Sequence, residues 1–205
     1  MAAPADRTIK ELDGKWILNK SISDSVEPVL ALQGIGWLTR KAIGLATVTQ
    51  HLRTTTEATD PPATTIVIEQ TVTGGLKGTT EKRTLDWQWR AHSDHLFGDL
   101  RGRSRYTTLS AILTDPQGSY EDKAALDEDA KFLVGEEGTW LEETKEGEVV
   151  ESYVENEGKG WTGWQIWGFG DVKGERWLVR RFAIRKGKEV VRVRLVYEWA
   201  GPHDS

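Results

Sequence analysis

The sequence predicts a mainly β chain: a single antiparallel up-and-down β-barrel over residues 1–205, with a short helical segment after the first strand. Three observations carry this. From about residue 46 onward apolar residues recur with period two, in runs rich in Thr, Val, Ile and aromatics. Gly-bearing turns separate the later runs at roughly 12-residue intervals, the rhythm of consecutive antiparallel hairpins. Hydrophobic residues make up 38% of the 205, enough for a sizeable core and too many for a chain disordered throughout. Closing such a meander removes the sheet edges that an open antiparallel sheet must protect. A two-sheet sandwich is the structural alternative the pattern leaves open.

Taken in order, Leu12–Asn19 reads as a first strand after a turn. Between Glu27 and Gly44 the apolar positions Leu32, Ile35, Leu38 and Ala42 follow a helical spacing, with Pro28 suited to a first turn and Gly44 to a C-terminal stop. Gly34 and Gly36 interrupt this segment, which predicts two short helices or one kinked one. Strand patterns then span 46–55, 64–73, 78–89 and 94–106, with the Gly-rich stretch 73–78 as a hairpin connection. Asp115-Pro116-Gln117-Gly118 signals a turn, and 121–129 reads as a loop or a short helix. Alternation resumes over 138–143, 148–156, 161–169, 176–185 and 188–199.

Composition narrows the function. With 27 Lys+Arg against 32 Asp+Glu the net charge is −5, a poor match to nucleic acid, whose phosphates call for a basic surface. Cysteine is absent, which excludes disulfides, thiol nucleophiles and Cys-ligated metals. No apolar run reaches membrane-spanning length, and the charged first fifteen residues lack the apolar core of a signal peptide; a cytoplasmic location is expected. Ten Trp residues fit either a heavy aromatic core or a cavity for an apolar or aromatic small molecule, the expected partner. A homodimer is left open.

Charge is segregated. Residues 121–157 hold 14 acids and 3 Lys, a net −11, whereas residues 176–194 hold 8 Lys+Arg and 1 Glu, a net +7. Pairing across the barrel exterior is the simpler reading; an anion-attracting patch, or interior arginines meeting a polar ligand, is the sharper one. On the last strand Val191, Val193, Leu195, Tyr197 and Trp199 share one face, expected inward, and Arg192 and Arg194 the other. Of the adjacent Arg180 and Arg181, the companions Trp177 and Val179 favour Arg181 as the inward guanidinium, which burial would oblige to find a partner. Trp161, Gln165, Trp167 and Phe169 share a face opposite Trp164 and Ile166. These tryptophans fill a core or line a ligand cavity. Trp87 and Trp89 raise the same choice, behind Glu81 and Arg83 of the same parity. That pair is expected on a solvated outer face, with an inward polar island as the alternative. The candidate site is therefore Arg181, Tyr197 and His95 as hydrogen-bond donors or acid–base groups, with Gln70, Trp87, Tyr153, Trp161, Trp164 and Trp167 holding the ligand.

Other chemistries find no support. Gly34-Ile35-Gly36 lacks the third glycine and the βαβ setting of a dinucleotide fingerprint, and no Gly-x-Ser-x-Gly elbow exists. His92 and His95, three apart in a strand, are expected on opposite faces; no metal and no cofactor is expected.

The order strand, two short helices, antiparallel strands resembles the lipocalin and fatty-acid-binding barrels, and Gly14-Lys15-Trp16 is similar to the Gly-x-Trp opening of that superfamily. Arg194-Leu-Val-Tyr197 is similar to a terminal Arg-x-Tyr strand, with one residue more between the two. The stretches Gln70–Glu81, Leu85-Asp86-Trp87, Asp94–Gly98 and Arg194–Tyr197, with the 28–44 helical segment, resemble small fungal lipocalin-like proteins over most of the chain. That resemblance implies a cofactor-free pericyclase of the hetero-Diels–Alderase type, joining a tropolone quinone methide to a humulene-type terpene. A non-catalytic carrier of an apolar small molecule is the alternative; a protein-interaction module using the acidic 121–157 region is a third.

Overall fold

The computed structural model of the chain describes residues 1–58, 62–74, 78–120, 122–135 and 139–203. Within them ten strands form one antiparallel sheet: β1 (Gly14–Leu18), β2 (Val48–Glu57), β3 (Ala63–Val72), β4 (Thr80–Thr84), β5 (Arg90–Asp94), β6 (Gly98–Thr107), β7 (Val149–Asn156), β8 (Trp161–Val172), β9 (Glu175–Lys186) and β10 (Glu189–Trp199). The order β4-β3-β2-β1-β10-β9-β8-β7-β6-β5 joins the last strand to the first, so the sheet rolls into a nearly closed barrel with its seam between β4 and β5. An isolated bridge, Asp86 to Arg105, ties the end of the β4 segment across to β6.

Helices α1 (Glu27–Leu32) and α2 (Trp37–Leu45) follow β1 and cover one barrel mouth, as the interrupted helical spacing predicts. Three more, α3 (Leu109–Thr114), α4 (Lys123–Val134) and α5 (Glu142–Lys145), lie between β6 and β7. The segment read as a loop or short helix is thus a three-turn helix, started by the Asp122 side chain accepting from the Ala124 N–H and ended at Gly135 with φ +77°. The alternation read over 138–143 is not a strand. Gly138 lies outside the described residues; Trp140 forms a single bridge to Gly170, and the chain turns into α5. Residues 75–77 of the Gly-rich connection also lie outside them.

Two apolar clusters result. Inside the barrel, Trp16, Phe169 and Trp199 pack one end shut; the Trp16 and Trp199 rings meet edge-on at 4.9 Å. Gly14 is required there: its φ is +135°, and a Cβ would fall 2.2 Å from the Trp199 ring. Outside the barrel, α3 and α4 bury Leu109, Ile112, Ala130 and Leu133 against Trp164, Ile166, Trp177 and Val179 of β8 and β9. Both faces of these two strands are therefore buried, and their burial no longer alternates. The acidic and basic segments pair across this exterior. Asp129, fully buried, accepts from Arg185 at 2.9 Å, Arg192 at 2.7 Å and the Tyr120 hydroxyl at 2.8 Å; Arg176 pairs with Glu143 at 2.6 Å.

Candidate active site

Between the aromatic plug and the α1–α2 cap lies a cavity of about 990 Å³, at the upper end of the roughly 300–1,000 Å³ usual for small-molecule sites. Its position follows from strand register. In an antiparallel pair, residues directly opposite share a face. Leu195 opposes Arg180 and Val193 opposes Phe182, so the inward face of β10 makes Arg180 and Phe182 inward on β9. Arg180 in turn opposes Trp167, and Phe182 opposes Gln165 on β8. Ile66 and Ile68 oppose Arg83 and Glu81, which places that pair in the lumen and not on a solvated outer face.

The inward guanidinium is Arg180, not Arg181. Arg180 is 4% exposed and bridges two amide oxygens, Gln50 Oε1 at 2.8 Å and Gln165 Oε1 at 2.7 Å. Gln165 Oε1 also accepts from Trp167 Nε1 at 2.7 Å, and the Arg180 guanidinium lies 4.1 Å above the Trp167 ring. Arg181 stands on the opposite face, donating to the Phe132 carbonyl at 2.7 Å and stacked on the Phe132 ring beneath α4. Both faces of β9 carry large apolar neighbours, so composition alone gave no means of choosing between the two.

A second arginine completes a polar island. Arg83 forms an ion pair with Glu81 and donates to the Ser152 hydroxyl, which also accepts from Ser104 at 2.9 Å. The Arg83 guanidinium sits 5.7 Å from the Trp167 ring, so this indole lies under both cations. Burial pushes the Glu81 carboxyl up, but the charges of Arg83 and Arg180 outweigh it and hold the group below the ordinary carboxylate value. Tyr197, 3% exposed, goes the other way. Burial raises its phenol above the usual value against the pull of Arg180, so at neutral pH it keeps its proton and can donate. Burial also lowers Arg180, yet a guanidinium stays charged in any protein setting. The Arg180 Nε is buried without a hydrogen-bond partner.

The remaining predicted residues divide. Gln70, His95, Trp161 and Tyr197 line the cavity, and Trp167 lies beneath Arg180. His92 lines it too, because β5 ends at Asp94 and His95 sits in the following turn, where strand parity no longer applies. Three residues face away from the lumen. Tyr153 packs in the outer cluster and accepts from the Ser119 N–H at 3.1 Å. Trp164 lies there as well, donating at 2.9 Å to the buried Glu151. Trp87 leaves the strand path because β4 stops at Thr84; its φ of +60° turns the ring onto Arg103 and Arg105, 4.2 and 4.3 Å away. Sequence reasoning missed Arg180, Gln50 and His92 as site residues. Among the described residues no cluster of three or more His, Asp or Glu is placed to hold a metal ion, and no helix is long and apolar enough to cross a membrane.

No family model matches the chain. Two curated relatives match over essentially their whole lengths. "Probable pericyclase scpY" of Mollisia scopiformis is 32% identical over 207 residues, spanning 100% of this chain and 97% of the relative. "Pericyclase pydY" of Acremonium sp. is 30% identical over 202 residues, spanning 98% of each. Among solved structures, fatty-acid-binding protein 1 of Echinococcus granulosus is similar with a TM-score of 0.50 at 11% identity, covering 93% of this chain and 98% of that one. As-p18, an extracellular fatty acid binding protein, matches with a TM-score of 0.50 at 14% identity over 94% and 99%. These structures support the barrel fold alone.

Proposed function

This chain belongs to the lipocalin-like pericyclase family, an enzyme family of the cyclase type, and we propose that its ring closure takes place in the lumen against the Arg180–Tyr197 wall. The observation that carries this is a buried cation and a protonated phenol side by side in the wall of an otherwise largely apolar cavity. A pericyclic step needs no group transfer to the protein. It needs two unsaturated partners held in a near-attack arrangement and a donor on the oxygen that gains charge. Apolar walls such as Leu195, Phe182 and Ile184 supply the first, and Arg180 with Tyr197 the second.

In its finer form the reaction is a hetero-Diels–Alder addition. A hydroxymethyl tropolone loses its hydroxyl and the proton of its ring hydroxyl as water, leaving a quinone methide. The carbonyl oxygen and exocyclic methylene of that species then bond to the two olefinic carbons of a humulene-type terpene. Tyr197 or His95 assists departure of the hydroxyl, and Arg180 polarises the carbonyl. The sequence resemblance and the size of the cavity support this choice of partners. Incubating purified protein with the hydroxymethyl tropolone and humulene tests it. Faster adduct formation and a narrowed isomer distribution are expected. The rate and mixture seen without protein would remove this substrate pair.

A further inference from the structure

Glu81 has no part in the ring closure, yet it is a carboxylate placed inside an apolar lumen, where burial alone disfavours it. Its setting gives the reason. We propose that Glu81 is a specificity-determining residue: a resident carboxylate that occupies the lumen's anion site beside Arg83 and Arg180, and so admits substrates whose polar end is an uncharged oxygen acceptor while turning away chains that end in a free carboxylate. The inference rests on the lumen being the substrate site, as proposed above, and names the class of substrate that it takes.

Three features support it. Arg83 is already committed, to Glu81 through one side of its fork and to Ser152 through the other. Arg180 already spends one N–H of each Nη on the amide oxygens of Gln50 and Gln165, and its Nε, although without a partner, is buried; bidentate capture of a carboxylate needs two parallel N–H groups, for which it would compete with the two glutamines. An incoming carboxylate would therefore compete with Gln50 and Gln165 for Arg180 and, in the same low-dielectric space, meet the charge of Glu81. A carbonyl, enol or amide oxygen meets the same donors without the repulsion. The Glu81 side chain is 22% exposed and lines the cavity, so its charge faces whatever enters.

The test compares two ligands of one chain length, dodecanoate and dodecanamide, by calorimetric titration of the whole protein at a pH where the acid is ionised. Wild type is expected to bind the amide at least about ten-fold more tightly. Glu81→Gln, which keeps shape and removes charge, is expected to narrow or invert that ratio by about ten-fold, chiefly through tighter binding of dodecanoate. Glu69→Gln, the same charge change on an exposed position of β3 outside the lumen, is expected to leave the ratio unchanged. An unchanged ratio in Glu81→Gln, a wild-type preference for dodecanoate, or binding of neither ligand overturns the proposal. Should Glu81→Gln fail to fold, the wild-type ratio decides alone. All readouts are binding, so failure to catalyse the tropolone–humulene closure leaves this result standing, and a catalytically active protein without amide preference loses only the role of Glu81.

Discussion

Arg180 and Arg181 are neighbours in the chain with the same side chain, and the pleat of β9 gives them different tasks. Arg180 faces the cavity and holds Gln50 and Gln165 in place; Arg181 braces α4 through the Phe132 carbonyl. Replacing each by Met separates them. Arg180→Met is expected to lower kcat/KM by about 100-fold, the usual cost of losing a charged donor at a developing oxyanion. Arg181→Met is expected to leave kcat/KM within about two-fold and to cost about 1 kcal/mol in urea unfolding, the worth of one hydrogen bond. Glu81 makes a different prediction, in pH. Its folded pKa lies below the ordinary carboxylate value that the unfolded chain retains, because Arg83 and Arg180 outweigh the burial that would raise it. As the pH falls below that ordinary value the unfolded chain gains a proton the folded one refuses. The stability Glu81 contributes is thus complete above the unfolded pKa and fades as the pH drops through the folded one. Urea unfolding of wild type and Glu81→Gln at steps between about pH 7 and about pH 3 is expected to show the gap between them closing toward acid. A constant gap would mean that the carboxyl is not held low.

The helical insertion between β6 and β7 explains why some strands were legible in the sequence and others were not. On β10, one face stays inside and the other carries Arg192, Arg194 and Glu198, with Val196 alone of that face buried in the outer cluster, and the alternation Val193, Leu195, Tyr197, Trp199 marks the inward set directly. On β8 and β9, α3 and α4 cover the outer face, so apolar residues are required on both sides and the period-two signal vanishes. Parity still separated Trp161, Gln165 and Trp167 from Trp164, but nothing local said which set was inward. The answer lies in register with β10, a contact between strands that a single sequence does not display. The same insertion turns the acidic segment into a structural clamp. Asp129 of α4 sits without solvent between Arg185 of β9 and Arg192 of β10. Asp129→Ala strips Arg185, Arg192 and the Tyr120 hydroxyl of their shared acceptor and is expected to destabilise the fold by about 3 kcal/mol. Hydrogen exchange is the specific readout: amides of 123–134 are expected to lose protection before those of β8 and β9. Uniform loss of protection would show the helix to be no separate unit.

At the scale of the whole molecule, one chain builds two apolar interiors of opposite character. The barrel is plugged at one end by Trp16, Phe169 and Trp199 and hollow at the other, whereas the layer under α3 and α4 is a cluster of fully buried side chains that includes Ile112, Leu133, Trp164 and Ile166. The period-two runs made the barrel legible, and the ten tryptophans fitted either a heavy aromatic core or a cavity, but the division between the two interiors depends on where the chain between β6 and β7 folds back. That division is testable by adding bulk to each. Leu195 opposes Arg180 and borders the void; Leu133 on α4 is fully enclosed by its neighbours. A packed core resists extra volume at a cost of about 1–3 kcal/mol, while a void accepts it by filling. Leu133→Trp is therefore expected to lower stability by at least that amount and to leave the affinity for dodecanamide unchanged. Leu195→Trp is expected to change stability by less than about 1 kcal/mol and to weaken dodecanamide binding by more than about ten-fold, because the indole takes the space beside the donors. Urea midpoints and calorimetric titration on the two variants give both quantities. If Leu195→Trp destabilised the protein as much as Leu133→Trp, the lumen would be a packed core, and the site built on Arg180 would have no room for a substrate.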